Sequence, residues 1–302
     1  RESAGRQAGR GGANAEAYTY KAQVAGALAG VRVDNPSLAK RQVENSLQML
    51  GLLEKSYAGR SVTLVGQLGG RLLINMAGGV QENAGLALDR CFGLPFLPGS
   101  AVKGVTRHAA LWDIRTETDP RTRATKLRLA MLAFGFIGQD IGPKGDFAWA
   151  AQGDRDAVLS ARDSFTRAES FRGVLSFLPA YPTSEPRIVA EVLTPHPRAD
   201  RAASGKDEPR PLFFPAVAAG SSFGFAILAT WRPANVDFRE LLDQAGEWLR
   251  SAITTTGIGA KTGAGYGWFV IDPAAEEARR REMAELEERA RQKAEEEVKA
   301  AA

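Results

Sequence analysis

Between residues 257 and 267 the chain reads Gly-Ile-Gly-Ala-Lys-Thr-Gly-Ala-Gly-Tyr-Gly, and no regular element tolerates glycines at that density. Each glycine loses more backbone freedom on ordering than any other residue and brings no side chain to pack. The run is therefore a tight connection, and its flanks say of what kind. Before it, VDFRELLDQAGEWLRSAI has the spacing of an amphipathic helix, with Phe238, Leu241, Leu242, Ala245, Trp248, Leu249 and Ala252 available for burial; after it, GWFVI is a strand. Lys261-Thr262 among glycines invites comparison with the phosphate loop of nucleotide hydrolases. That loop needs Gly directly before the Lys and a helix after it, whereas here Ala260 precedes Lys261 and a strand follows. What the glycines do allow is close approach of another backbone, with exposed N–H groups, Lys261 and Tyr266 beside them, a surface that fits a sugar-phosphate chain. The same glycines also suit a helix-to-strand turn that needs positive φ.

A second motif is Leu97-Pro-Gly-Ser-Ala-Val-Lys-Gly-Val-Thr-Arg107. Pro98-Gly99 ends an extended stretch, Ser100 is the expected N-cap, and Val102, Val105, Ala109 and Trp112 are expected to share one buried face. Lys103 and Arg107, one turn apart, project together on a neighbouring face. Free N–H groups at a helix start favour an anion, and Ser100, Lys103 and Arg107 would add side-chain donors. An ordinary capped helix with exposed bases would look the same.

The remaining pattern gives a helix over 38–53 after Asn35-Pro36, a strand or hairpin over roughly 61–75, a polar basic loop from Thr116 to Arg128, and a short helix from Leu127 to Phe136. The Gly-rich loop GQDIGPKGD follows. From Phe171 the period becomes that of strands, in FRGVLSFLPAYP, RIVAEVLTPHP and FFPAVAAGSSFGFAILATW, enclosing the charged excursion RADRAASGKDEPRP. The order strand, helix, strands, helix, Gly-rich loop, strand is that of an α+β fold with a ferredoxin-like (RRM-like) βαββαβ core carrying large insertions. The expected organisation is a disordered basic arm over 1–17, one domain over 18–271, and a charged helical tail over 272–302.

Composition narrows the function. One cysteine, Cys91, and two histidines, His108 and His196, exclude a disulfide scaffold and a zinc module. Neither a run of about 18 apolar residues nor a signal-peptide core is found, so a cytoplasmic location is expected. The net charge of +4 conceals two opposed pieces: from Asp272 onward ten acids face seven bases, which leaves +7 on residues 1–271. Residues 100–135 alone hold seven bases against three acids. A clustered positive field of this kind attracts polyanions.

The Pro-Gly-Ser-x-x-Lys-Gly-x-x-Arg box at Pro98 to Arg107, joined to a Gly-rich loop ending in Gly-Tyr-Gly, resembles the RAMP superfamily of CRISPR-associated RNA-binding proteins. ENAGLALDRCFGLPFLPGSAVKG, and LTPHP with the later PLFFPAVAAGSSFGF, look more narrowly like the sixth-subunit family of the Cmr complex, a type III-B effector. The resemblance covers about residues 61–271. It implies a ferredoxin-like RNA-recognition core and a place at one end of the effector backbone, near the 3′ part of the guide RNA. Guide RNA, target RNA and other RAMP subunits are the implied partners, with no membrane, cofactor, metal or small-molecule substrate. The guide-contacting candidates it implies are Ser100, Lys103, Arg107, Gly259, Lys261, Thr262, Gly263, Gly265 and Tyr266. Such subunits project a hairpin that wedges between guide and target, and the loop 194–211, with His196, Arg198, Arg201, Lys206 and Arg210, competes for that task with residues 113–126. The arm and the tail match no family motif.

Metal-free RNA cleavage needs a general base and acid at one 2′-hydroxyl, and His108 and His196 are the only histidines. His108 is expected to pack against the sheet with a satisfied ring nitrogen, and His196, between two prolines, to touch RNA or make a structural hydrogen bond. In the resembled family, target cleavage belongs to the repeated backbone subunit, through a loop Asp with metal. Asp89, beside Arg90, is expected to be an ion-pair residue. The expectation is a protein without intrinsic ribonuclease activity; the alternative is a stand-alone RAMP endoribonuclease that processes precursor guide RNA through His108 or His196.

Overall fold

The structure is a computed structural model that describes residues 36–78, 85–193, 212–231 and 236–278, with scattered positions between 20 and 30 and Arg281. The expected basic arm, the loop residues His196, Arg198, Arg201, Lys206 and Arg210, and residues 282–302 of the tail lie outside the described residues. In chain order the elements are α1 (Pro36–Ser56), β1 (Ser61–Leu68), α2 (Gly99–Thr116), α3 (Pro120–Phe134), β2 (Gly135–Phe136), α4 (Asp146–Ala150), α5 (Arg155–Asp163) and β3 (Phe171–Arg172). They continue with β4 (Leu175–Phe177), β5 (Tyr181–Pro182), β6 (Ile188–Leu193), β7 (Leu212–Val217), β8 (Ser222–Ala229), α6 (Phe238–Ser251) and β9 (Phe269–Val270).

The principal sheet runs β4-β8-β1-β9, with β5 also on β8, and every pairing is antiparallel. Its axis is the β1–β8 pair, in register from Ser61↔Leu228 to Gln67↔Ser222. Side chains alternate along both strands. Leu64 and Leu68 of β1, with Phe223, Phe225 and Ile227 of β8, point into the main core. The opposite face receives α1, whose fully buried Leu50 lies over Gly224. The sheet is thus covered on both faces, by α1 on one and by α2, α3 and α6 on the other. β6 and β7 form a separate antiparallel ribbon, attached to the segment after β1 by the bridge Leu72↔Val217.

Two helices carry most of the packing. In α6, Asp237 accepts hydrogen bonds from the backbone N–H groups of Arg239 and Glu240, and the expected residues Phe238, Leu241, Leu242, Ala245, Trp248 and Leu249 are buried. In α2 the buried set is Val102, Thr106, Ala109, Ala110, Leu111 and Ile114. Trp112, expected on that face, is instead 48% exposed. The face is centred about one residue later, near Thr106 and Ala110, and Thr106 enters the core without an unpaired polar atom by returning its hydroxyl to the Val102 carbonyl (2.7 Å).

The loop expected from Thr116 to Arg128 is not one: α3 begins at Pro120 and runs unbroken to Phe134. Asp119 caps it by accepting from Thr122 N–H, and Pro120 takes the first helical position, where its missing N–H costs nothing. The expected strand or hairpin over 61–75 is a single strand ending at Leu68, and the short helices α4 and α5 fall where no element is expected. At the far end a helical stretch, 273–278, buries Glu276, whose Oε1 accepts from Val65 N–H (2.7 Å) on the β9 side of β1.

Candidate functional site

The Gly-rich loop divides into a pinned base and an open tip. After α6 the chain makes a π-helical turn, Ala252–Thr256, and then folds back on the segment that follows β1. Ile258 N–H donates to Gly267 O (2.8 Å), Gly267 N–H to Arg71 O (2.7 Å) and Ala260 N–H to Leu73 O (2.7 Å). Gly259 and Gly267 have φ of 105° and 72°, and a Cβ on either would drive into a carbonyl oxygen, of Leu73 or of Ile258. Those two glycines serve conformation. Tyr266 is half-buried and packs on the small apolar cluster of Leu73, Phe214 and Ala216.

The tip is different. Lys261, in the left-handed region at φ 58°, leads into a 3-10 turn over Thr262–Ala264, and Lys261, Gly263 and Gly265 are exposed. Among the described residues the N–H groups of Lys261, Thr262 and Gly263 make no protein hydrogen bond. Nothing lies within 4 Å of a Cβ built on Gly263, whose φ is ordinary. Gly263 thus leaves the tip open without being needed for its conformation.

At the start of α2 the cap is Pro98 rather than Ser100, because the helix begins at Gly99 and no side chain caps it. Ser100 is exposed in the first turn, and the N–H groups of Gly99 and Ser100 find no acceptor among the described residues. One turn on, Lys103 is partly buried with no acidic partner among the described residues. Burial, and after it the positive charge of Arg107, hold its ammonium pKa below the usual lysine value. Arg107 does not stand with it as a second free cation. Its guanidinium is paired with Asp146 (2.5 Å) and Asp140 (3.1 Å) and lies over the Phe147 ring, bracing α2 against the 140–147 segment. Nothing local in the sequence announces these partners, 33 and 39 residues downstream. Lys126 is likewise neutralised, by Asp113 and Glu117, and because the partners of Arg107 lie beyond residue 135 the basic excess over 100–135 is smaller as a field than as a count.

Topology brings the α2 start and the loop to the same end of the sheet. β1 finishes beside the start of β9, Leu68↔Phe269, which places the loop there. Leu97, just before α2, bridges Ala180 next to β5, and β5 pairs with Gly224 and Phe223, at the end of β8 that faces the finish of β1.

Three other expectations change. His108 does not pack against the sheet: it is exposed, although its Nε2 is satisfied by Trp112 Nε1–H (3.1 Å). Asp89, expected as an ion-pair residue, has no cationic partner among the described residues; its Oδ1 accepts from the N–H groups of Cys91 and Phe92 and shapes a turn. Residues 113–126 are the end of α2, the start of α3 and the tight link between them, tied by Lys126 to Asp113 and Glu117, so they do not project.

The chain is an α+β protein built on a principal antiparallel sheet, and one end of that sheet carries lysines and backbone N–H groups that have no acceptor among the described residues, an arrangement suited to an anionic chain. The RAMP superfamily model matches residues 71–270, and the chain belongs to that superfamily. It is 25% identical over 230 residues to the CRISPR system Cmr subunit Cmr6 of Pyrococcus furiosus, covering 66% of this chain and 65% of that protein. The match thus spans a little under two thirds of the relative's length. Among solved structures it is similar to a chain of the type III-B Cmr-beta complex bound to cognate target RNA, with TM-score 0.48 and 20% identity over 76% of this chain and 64% of that one. The crystal structure of Cmr6 from Pyrococcus furiosus gives TM-score 0.39 and 20% identity, covering 70% of this chain and 97% of that one. Among the described residues no helix is long and apolar enough to cross a membrane.

Proposed function

We propose that this protein is a guide-RNA-holding subunit of a type III-B CRISPR effector complex, capping the backbone near the 3′ part of the guide and cutting no RNA itself. Membership of the RAMP superfamily and the likeness to a Cmr6 subunit support the assembly; the open end of the sheet supports the ligand. The observation that carries the reading is the coincidence there of free N–H groups at Gly99, Ser100, Lys261, Thr262 and Gly263 with two cations, Lys103 and Lys261, that have no acidic partner among the described residues. Such contacts hold a phosphate chain in register without reading its bases. The strand order fits the ferredoxin-like core: with β4 and β5 counted as one strand, the four strands in chain order lie 2-3-1-4, with α2 and α6 as the two crossover helices. The β6–β7 ribbon, which leads into residues 194–211, is the better candidate for a wedge between guide and target, and that loop brings His196, Arg198 and Arg201 to the duplex. The partners are guide and target RNA and neighbouring RAMP subunits, in the cytoplasm.

The test is binding of a labelled single-stranded RNA by the full chain over a series of salt concentrations. Removing one cation–phosphate pair flattens the log–log salt slope by about 0.7. Lys103→Ala and Lys261→Ala are each expected to weaken binding and to flatten the slope by about that much; unchanged slopes in both would sink the assignment. The rival, a precursor-processing endoribonuclease, is answered by incubation with a labelled repeat RNA. The RNA is expected to remain intact, and cleavage abolished by His108→Ala would replace the present reading. Against that rival, the His108 Nε2 already accepts from Trp112 and so is not free to take a proton from a hydroxyl.

A further inference from the structure

Three tryptophans of the described chain are exposed, and two of them are engaged. Trp112 and Trp149 meet edge to face at 5.0 Å, Arg115 covers Trp149, and the Trp112 N–H is bonded to His108. The third, Trp268, has no ring partner, no cation over it and no acceptor for its indole N–H among the described residues, and is 39% exposed. Its position is nevertheless fixed. The ring spans Gly69 and Gly70, the six-membered ring over the first and the pyrrole edge over the second, so closely that a Cβ on either would fall well inside contact distance. The main chain is fastened alongside by Gly69 N–H to Trp268 O (3.0 Å). Gly70 also abuts the Gly265 carbonyl, which places the indole directly against the Gly-rich loop.

An indole packed this closely on bare backbone, yet 39% exposed, is held in place while leaving apolar surface in solvent beside a cationic, N–H-rich tip. Base stacking on an aromatic ring needs just these properties, and it tolerates any sequence because every base has a π face. We propose that Trp268 is a stacking platform for one nucleobase of the single-stranded RNA whose backbone the 257–267 loop holds. This inference rests on the RNA-holding reading and adds to it a residue that reads the base plane rather than the phosphate. Gly69-Gly70 then has a stated purpose, as the seat of the ring.

The experiment uses the full chain, a fluorescein-labelled single-stranded RNA and the same RNA with abasic sites placed one at a time. Trp268→Ala is expected to weaken binding about tenfold with the salt slope unchanged, because stacking releases no counterions, whereas Lys261→Ala flattens the slope. Trp268→Tyr should restore most of the affinity. One abasic position should cost the wild-type protein affinity and cost Trp268→Ala none. Where removal of the indole harms folding, Trp268→Leu, which keeps apolar cover over the glycines, is compared with Trp268→Tyr, and equal affinity of the two overturns the proposal. Wild-type affinity in Trp268→Ala also overturns it, including the case in which that variant keeps RNA but no longer co-purifies with a neighbouring subunit, which would assign the indole to a protein contact. Failure of the wild-type chain to bind RNA at all overturns the underlying reading and this inference with it.

Discussion

Lys103 and Arg107 stand one turn apart on α2, and the fold treats them oppositely. Arg107 is satisfied by two carboxylates, whereas Lys103 is a partly buried ammonium without a counter-ion among the described residues. Because its folded-state pKa lies below the unfolded value, folding with this lysine charged carries a cost, present at neutral pH and relieved only as pH rises through the depressed value. Lys103→Met should therefore leave the urea midpoint unchanged or raise it at neutral pH, with any gain shrinking at alkaline pH, while RNA affinity falls. A clear loss of stability would mean that the ammonium is paired in the free protein. The glycines separate in the same way. Gly267→Ala, at φ 72° and against the Ile258 carbonyl, should cost about 2 kcal/mol in chemical denaturation, and Gly263→Ala should stay within about 0.5 kcal/mol of wild type. Abolished RNA binding in a Gly263→Val variant of normal stability would then report contact alone. That some of these glycines turn the chain and others clear space was legible in the sequence; which does which depended on whose carbonyl lies opposite.

Among the elements, Asp113 ties three helices together. On α2 it accepts from Trp248 Nε1–H of α6 (2.8 Å) and from Lys126 Nζ of α3 (2.7 Å). Trp248 is 2% exposed, so its indole N–H has no ready substitute acceptor. Asp113→Ala is expected to destabilise the protein by about 2 kcal/mol, seen as a lower urea midpoint with an unchanged slope, because a buried donor is left unpaired. A shift under about 0.5 kcal/mol would show that water takes over. Helices α1 and α6 were legible because each alternates buried and exposed positions with a helical period. The first turns of α3 were not, since residues 116–126 hold no large apolar side chain to mark a buried face, although Asp119 followed by Pro120 is a helix-start signal. The shift of the buried face of α2 away from Trp112 had no such signal, because it depended on Thr106 satisfying its hydroxyl within its own helix.

For the whole molecule, the +7 carried by residues 1–271 is a net charge spread over the body, and at the candidate site Arg107 is spent on internal carboxylates. The site itself offers Lys103, Lys261 and a few backbone donors, so the salt dependence of RNA binding there should correspond to a few phosphates rather than to the count of bases. A slope many times larger than the summed decrease in Lys103→Ala and Lys261→Ala would point to contacts outside the described residues, such as the loop 194–211. The sequence by itself determined the α+β character, the amphipathic helices, the Gly-rich connection before the last strand and the membership that the Pro-Gly-Ser box and Gly-Tyr-Gly carry, because these rest on local periodicity and on backbone chemistry at single positions. Only the tertiary structure decided that Arg107 is bound inward, that His108 faces solvent, that the two anion-favouring segments share one end of the sheet, and that Trp268 is seated on Gly69-Gly70. Each of these is fixed by strand order and packing between segments far apart in the chain rather than by any neighbour in sequence.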